Sequence, residues 1–269
     1  MRRLKIVITA SEMAPFAKTG GLADVVGALP KALAARGHEV IVVMPKYASV
    51  KADMALFHSP MGVWMGGAQE WCSVHMAMYE GIPVYFIEHN NYFGRKGLYN
   101  DENMNEYGDN PKRFSFLSRA AIQLCQDLGY SPDIFHCNDW QTAMIPAYLK
   151  TWNFEGTSVE NSASVLTIHN MAYQGMYDPS NMGYMGINGR YFTFDKFEHN
   201  GRVNMLKGGI YFADAVNTVS PTYAREVVSG MGYGMDGQLL AKGERFFGIL
   251  NGADYSIWNP ETDSKSALM

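Results

Sequence analysis

Cysteine is scarce in this chain, three among 269 residues, and Cys72, Cys125 and Cys137 stand far apart. An odd number with no C-x-x-C pair excludes a disulfide scaffold and a cysteine-built zinc site, and fits reduced thiols in a cytoplasmic protein. Positive charge is also in short supply: 22 Lys and Arg against 26 Asp and Glu leave a net charge of −4. Without a basic footprint, nucleic acid is not an expected partner. No apolar run reaches the roughly 18 residues of a bilayer-spanning helix, so no membrane is expected either. The opening Met1-Arg2-Arg3-Leu4 carries the charge of a leader, but Lys5 and Glu12 interrupt any apolar core, and the segment reads as a first strand. Several catalytic signatures are missing. There is no Walker loop, no G-x-G-x-x-G dinucleotide turn and no G-x-S-x-G nucleophile elbow. Nor is there an H-x-x-x-H or H-E-x-x-H pair to hold a metal.

What the chain does have is an alternation of strand and helix signals. Leu4–Thr9 is an apolar, β-branched run, Leu22–Ala35 has helical periodicity, and His38–Pro45 is a second apolar run that ends on proline. This β-α-β order puts its first loop at the carboxyl edge of a parallel sheet. Residues 55–88 alternate polar and apolar between glycines and read as antiparallel strands, Trp71–Tyr79 and Ile82–Glu88 among them. His89–Asn110, polar and aromatic, reads as a long functional loop. Helices are expected over Pro111–Gly129, Trp140–Lys150, Asn204–Ala213 and Pro221–Val228. Further strands are expected at Asp133–His136, Ser164–Ile168, Ala215–Val219 and Phe247–Leu250. The fold class is therefore α/β, a Rossmann-like, doubly wound, mostly parallel sheet. One domain is expected over residues 1–258, with a polar tail or the start of a linker over 259–269.

In such sheets ligands gather at the carboxyl ends of the strands, and reactive residues fall there repeatedly. After the first strand come Glu12, Lys18, Gly20, Gly21 and Asp24; after the middle strands come His136, Asn138, Asp139, His169 and Asn170; later come Ser220, Asn251 and Asp254. The turn Lys18-Thr19-Gly20-Gly21 at a helix start suits a phosphorylated ligand, because small residues admit close approach and the helix end is electropositive. It also suits an ordinary strand-to-helix turn with an exposed lysine. Asp139 before Trp140 fits a helix N-cap as well as a site residue, and His169 fits a satisfied core histidine as well. Asp24 fits a partner of the helix dipole, and Ser220 before Pro221 an N-cap.

The strings S-E-M-A-P-F-A-K-T-G-G-L-A-D-V-V-G-A-L-P at 11–30, H-C-N-D-W-Q-T-A at 136–143 and T-I-H-N-M-A-Y-Q-G at 167–175 carry a more specific message. With them go the runs at 204–226, Y-G-M-D-G at 233–237 and the run at 249–263. In this order, and over nearly the whole chain, they resemble the amino-terminal half of bacterial glycogen synthases and plant starch synthases. Many bacterial members carry histidine where this chain has Asn138, a variation also seen among starch synthases.

The resemblance implies the N-terminal half of a GT-B two-domain fold. The implied reaction moves glucose, with retention, from ADP-glucose (or UDP-glucose) to the non-reducing end of an α-1,4-glucan. It also implies a cytoplasmic location, or a plastid one in a plant or alga, with no cofactor and no metal. It places Lys18, Gly20 and Gly21 beside the diphosphate and glucose, and Asp139 and His169 beside the transferred sugar as the catalytic pair. Glu12, Asp24, Asn170 and Asn251 become further members of the pocket. A second, nucleotide-binding domain is a further expected partner, missing from these 269 residues, so the chain alone is expected to turn over poorly. The alternative is a non-catalytic module that binds glucan or a protein partner on the same fold.

Overall fold

The computed structural model describes residues 2–255 together with Asn259 and Glu261. The remainder of the expected tail, and Trp258 at the expected domain boundary, lie outside the described residues. The strands, in chain order, are β1 (Lys5–Thr9), β2 (Glu39–Pro45), β3 (Ala55–Trp64), β4 (Gln69–Tyr79), β5 (Ile82–Glu88), β6 (Ile134–Asn138), β7 (Ala163–Ile168), β8 (Met176–Tyr177), β9 (Glu198–His199), β10 (Arg202–Asn204), β11 (Ala215–Thr218) and β12 (Phe246–Gly248). Helices α1 (Gly21–Ala35), α2 (Asn90–Phe93), α3 (Asn110–Asp127), α4 (Asp139–Thr142), α5 (Met144–Thr151), α6 (Asn181–Met185), α7 (Met205–Phe212), α8 (Pro221–Glu226) and α9 (Asp236–Leu240) run between them.

Among the described residues one sheet has the order β12-β11-β7-β6-β1-β2-β5-β4-β3. It is parallel from β12 to β5, while β4 runs antiparallel to both β5 and β3. The central strands are nearly continuous apolar runs because helices cover both faces: Val7, Ile8, Val42, Val43, Phe135 and Leu166 are fully buried. On β3 and β4 only one face is covered. Met61, Val63, Cys72 and Val74 point to the core, whereas Trp64 and Trp71 face outward. The strand order reverses direction at β1: the chain first builds toward β2 and β5, then returns to lay β6 and β7 on the other side. The crevice between the ends of β1 and β6 is thus a topological switch point, where open α/β sheets hold ligands.

Close helix contacts seat this frame. A Cβ at Gly27 in α1 would lie 2.8 Å from the Ala14 carbonyl oxygen, so the missing side chain lets α1 press against the loop that follows β1. Gly209 in α7 rests likewise on Ala143.

Two expectations are corrected, and one element is added. The helix expected over Trp140–Lys150 is two helices, α4 and α5, broken at Ala143 because Pro146 has no N–H to bond the Thr142 carbonyl. The segment 89–110 is no plain loop. It carries α2 with Phe93 buried, and the buried Arg113 of α3 binds the carbonyl oxygens of Tyr92 (2.6 Å) and Leu98 (2.9 Å). Finally, residues 176–204 form a small β8-β10-β9 sheet that periodicity did not reveal, because its strands are only two or three residues long.

Candidate functional site at the carboxyl rim

The loop leaving β1 is organised around one buried carboxylate. Glu12 accepts hydrogen bonds from the Thr19 N–H, the Thr19 hydroxyl (2.7 Å), the Gly20 N–H (3.4 Å) and the Tyr99 hydroxyl. Tyr99 also pairs with the Ser11 hydroxyl at 2.7 Å. Glu12 therefore shapes the glycine turn from beneath. Gly20 has an extended backbone and is the N-cap of α1, and the space beside both glycines is open. Lys18 and Asp24 form an ion pair across the turn at 2.7 Å. Both are well exposed, so the pair is weak and easily rearranged.

The neighbouring strand ends, β6 and β7, are locked together. Asp139 sits at φ +54°, in the left-handed region that aspartate tolerates better than most residues. This kink aims its carboxylate across to β7, where Oδ1 accepts the backbone N–H of His169 at 2.7 Å. The expected alternative, a helix N-cap, is not found: Asn138 holds that position, with no side-chain cap. Asn138 instead binds the Thr9 carbonyl oxygen of β1 through Nδ2 (3.1 Å), and its Oδ1 accepts from His169 Nε2 (3.0 Å). That bond fixes the His169 tautomer with the proton on Nε2, leaving Nδ1 as an acceptor.

Burial sets the protonation of this group. It pushes the Asp139 carboxyl up to about 7, against the opposing pull of the His169 and Asn170 backbone N–H groups, and nearby Glu12 adds to the rise. Burial also drives His169 down to about 4, so the ring is neutral at pH 7. His136 is lowered to about 4 by burial too, but its Nε2 meets the Thr167 hydroxyl (2.6 Å), which in turn binds Asn217 (2.7 Å). His136 is a satisfied core histidine.

The structure thus gathers Glu12, the Lys18–Gly21 turn, Asp24, Asp139 and His169 at the ends of adjacent strands. Asn170 follows directly, although its side-chain oxygen closes a local turn on the Ala172 N–H (2.9 Å). Asn251 is not joined to the group among the described residues: it follows β12 at the sheet edge and donates its N–H to Val219 (3.2 Å). Asp254, grouped with it from the sequence, pairs with Lys31 of α1. Ser220 is the N-cap expected, accepting the Tyr223 N–H at 2.9 Å. Sequence reasoning missed Tyr99 and Thr19 as partners of Glu12. The signal was faint, an aromatic in a stretch that read as loop.

Fold and geometry together define a doubly wound α/β protein with a cluster of polar side chains at the switch point of its sheet. Comparison with known proteins narrows this. The family described as starch synthase catalytic domain matches residues 5–241, and the chain belongs to that family. It is similar to "Glycogen synthase 1" of Geobacter sulfurreducens, 47% identical over 98% of this chain and 54% of that protein. It is also similar to "Glycogen synthase" of Moorella thermoacetica, 42% identical over 98% of this chain and 54% of that protein. The chain therefore spans about half the length of the curated relatives it matches. Among solved structures, the catalytic domain of starch synthase IV from Arabidopsis thaliana, bound to ADP and acarbose, superposes with a TM-score of 0.88 at 37% identity, covering 98% of this chain and 54% of that one. Sucrose-phosphate synthase from Thermosynechococcus elongatus, at 13% identity and a TM-score of 0.56, shares the fold, with 99% of this chain and 52% of that one covered. No described helix is long and apolar enough to cross a membrane.

Proposed function

We propose that this chain forms one wall of the cleft in which a glycogen or starch synthase moves glucose, with retention, from ADP-glucose to the non-reducing end of an α-1,4-glucan. The observation that carries the reading is the bond from the His169 N–H to Asp139, set beside a glycine turn that Glu12 holds open. The family and the named relatives support it, as does the Arabidopsis structure, which is bound to ADP and acarbose. In this reading a further domain, matching the part of the relatives beyond the 54% covered, forms the opposing wall.

Each group then has a task. A departing nucleoside diphosphate gains negative charge, which Lys18 and the N–H groups at the head of α1 stabilise. Lys18 releases Asp24 to do so. The transferred sugar becomes oxocarbenium-like, and the Asp139 carboxylate, turned inward by its left-handed backbone, favours that charge. With a carboxyl near neutrality, Asp139 also exchanges hydrogen bonds with a sugar hydroxyl in either protonation state. Neutral His169 offers Nδ1 to another hydroxyl and keeps positive charge away from the electrophilic carbon.

A chimera tests the proposal. Residues 2–255 replace the matching half of the Geobacter sulfurreducens relative, and transfer of labelled glucose from ADP-glucose and from UDP-glucose to glycogen is measured. Transfer abolished by Asp139→Asn is the expected result. A chimera that unfolds cooperatively and binds glycogen, yet transfers from neither donor, would contradict the proposal and favour a non-catalytic glucan-binding module.

A further inference from the structure

We propose that Asn138 is a positioning residue for glucose transfer, a strut whose one amide joins the ends of β1, β6 and β7 and makes His169 meet the sugar as a hydrogen-bond acceptor. This rests on the transfer reading above. Asn138 closes β6 and is 1% exposed. Its backbone is pinned first. The N–H donates to the Thr142 hydroxyl (2.6 Å), and that hydroxyl donates to the Asn138 carbonyl oxygen (2.8 Å). An asparagine in the N-cap position ordinarily turns its side chain back onto the helix, but this one makes no such bond with α4. The amide is left to reach sideways, across the strands.

Its two ends are not interchangeable. Nδ2 faces a pair of carbonyl oxygens, those of Thr9 on β1 (3.1 Å) and of His136 (3.4 Å). Turned over, the amide would set oxygen against oxygen at both, so Oδ1 is committed to the His169 ring, 3.0 Å away. A neutral imidazole released from such a bond exchanges its proton between Nδ1 and Nε2, and would offer the sugar a donor and an acceptor by turns. With Asn138 in place the proton stays at Nε2 and the Nδ1 lone pair is constant. Asp139, the next residue, holds the same histidine by its backbone N–H (2.7 Å). Neighbouring side chains thus grip His169 at ring and backbone, and Asn138 anchors the pair to β1. A site oriented before the sugar arrives loses less freedom on reaching the transition state.

The experiment, at pH 8, compares the chain with Asn138→Ala and Asn138→Asp. Alanine removes the acceptor for Nε2, and aspartate keeps it. Nitrogen-15 NMR of labelled histidine reads the His169 tautomer, its signals assigned by their loss in His169→Gln, and the chimera described above gives kcat and KM. The expected result is an unprotonated Nδ1 in the unaltered chain and in Asn138→Asp, with averaging of the two ring nitrogens in Asn138→Ala. In the chimera, Asn138→Ala should lower kcat about tenfold or more, the scale on which a histidine's outer partner matters, with the KM for glycogen unmoved. Asn138→Asp should recover most of that loss. An Nδ1 that carries the proton in the unaltered chain would overturn the inference without any variant. So would a kcat in Asn138→Ala equal to the parent's, or a loss that follows melting temperature alone and is as large in Asn138→Asp; each of these leaves the transfer reading intact. An unaltered chimera that transfers from neither donor would overturn both.

Discussion

Replacing Asp139 by asparagine should make the protein more stable, and the advantage should grow with pH. Asparagine keeps an oxygen for the His169 N–H and tolerates the φ of +54°, which alanine would not do as well. The carboxyl titrates near 7 in the fold instead of its ordinary 3.8. Between those values the native state holds a proton that the unfolded chain has released. Stability from this group is therefore full below 3.8 and is lost as pH rises through 7. A shift of about three units corresponds to roughly 4 kcal/mol at about 1.4 kcal/mol per unit. The side chain remains partly open to the rim, so we expect about half, roughly 2 kcal/mol, or some 4–8 °C in Tm for a chain of this size.

Calorimetry of both proteins from pH 4.5 to 8 reads the difference directly. His136 and His169, both lowered to about 4, work in the opposite direction, making each protein more stable as pH rises toward 6.5. Taking variant minus parent removes that common slope. A difference that stays flat, or shrinks with rising pH, would refute the placement of Asp139 in a site that disfavours its charge.

Other perturbations probe the remaining parts. Glu12→Gln turns its NH2 either toward the Thr19 and Gly20 N–H donors or toward hydroxyls that must reverse to accept, so stability should fall by roughly 2 kcal/mol and amide exchange at Gly20 should quicken. Gly27→Ala forces α1 away from the Ala14 carbonyl, at a stability loss of about 1–3 kcal/mol by denaturant titration. Lys18→Ala should weaken ADP-glucose binding severalfold in calorimetric titration and leave maltoheptaose binding unchanged; equal losses would remove the diphosphate assignment.

Much of this was written locally. The apolar runs of β1, β2 and β7, and the periodicity of α1 and α3, show in the sequence because each buries a continuous surface in the core. That rule also pointed to the carboxyl ends, where Glu12, Asp139 and His169 do converge. What stayed hidden depends on long-range geometry. Asp139 reads as an N-cap until its left-handed backbone swings the carboxyl toward β7, thirty residues on. His136 and His169 look alike in sequence, yet one meets Thr167 in the core and the other stands at the rim. The Tyr99 hydroxyl reaches Glu12 across 87 residues, a pairing that no local pattern encodes. The β8-β10-β9 sheet is too short to have a period, whereas the α4–α5 break was within reach of a local reading, since Pro146 has no N–H for the Thr142 carbonyl.

The most direct measurement is the amide-exchange footprint of ADP-glucose on this protein. Slowed exchange at residues 18–24 and 168–171, and little change elsewhere, is the outcome expected if an activated sugar rests between the ends of β1, β6 and β7. Protection confined to the opposite edge of the sheet, around Gly37, Gly81 and Tyr130, would contradict it.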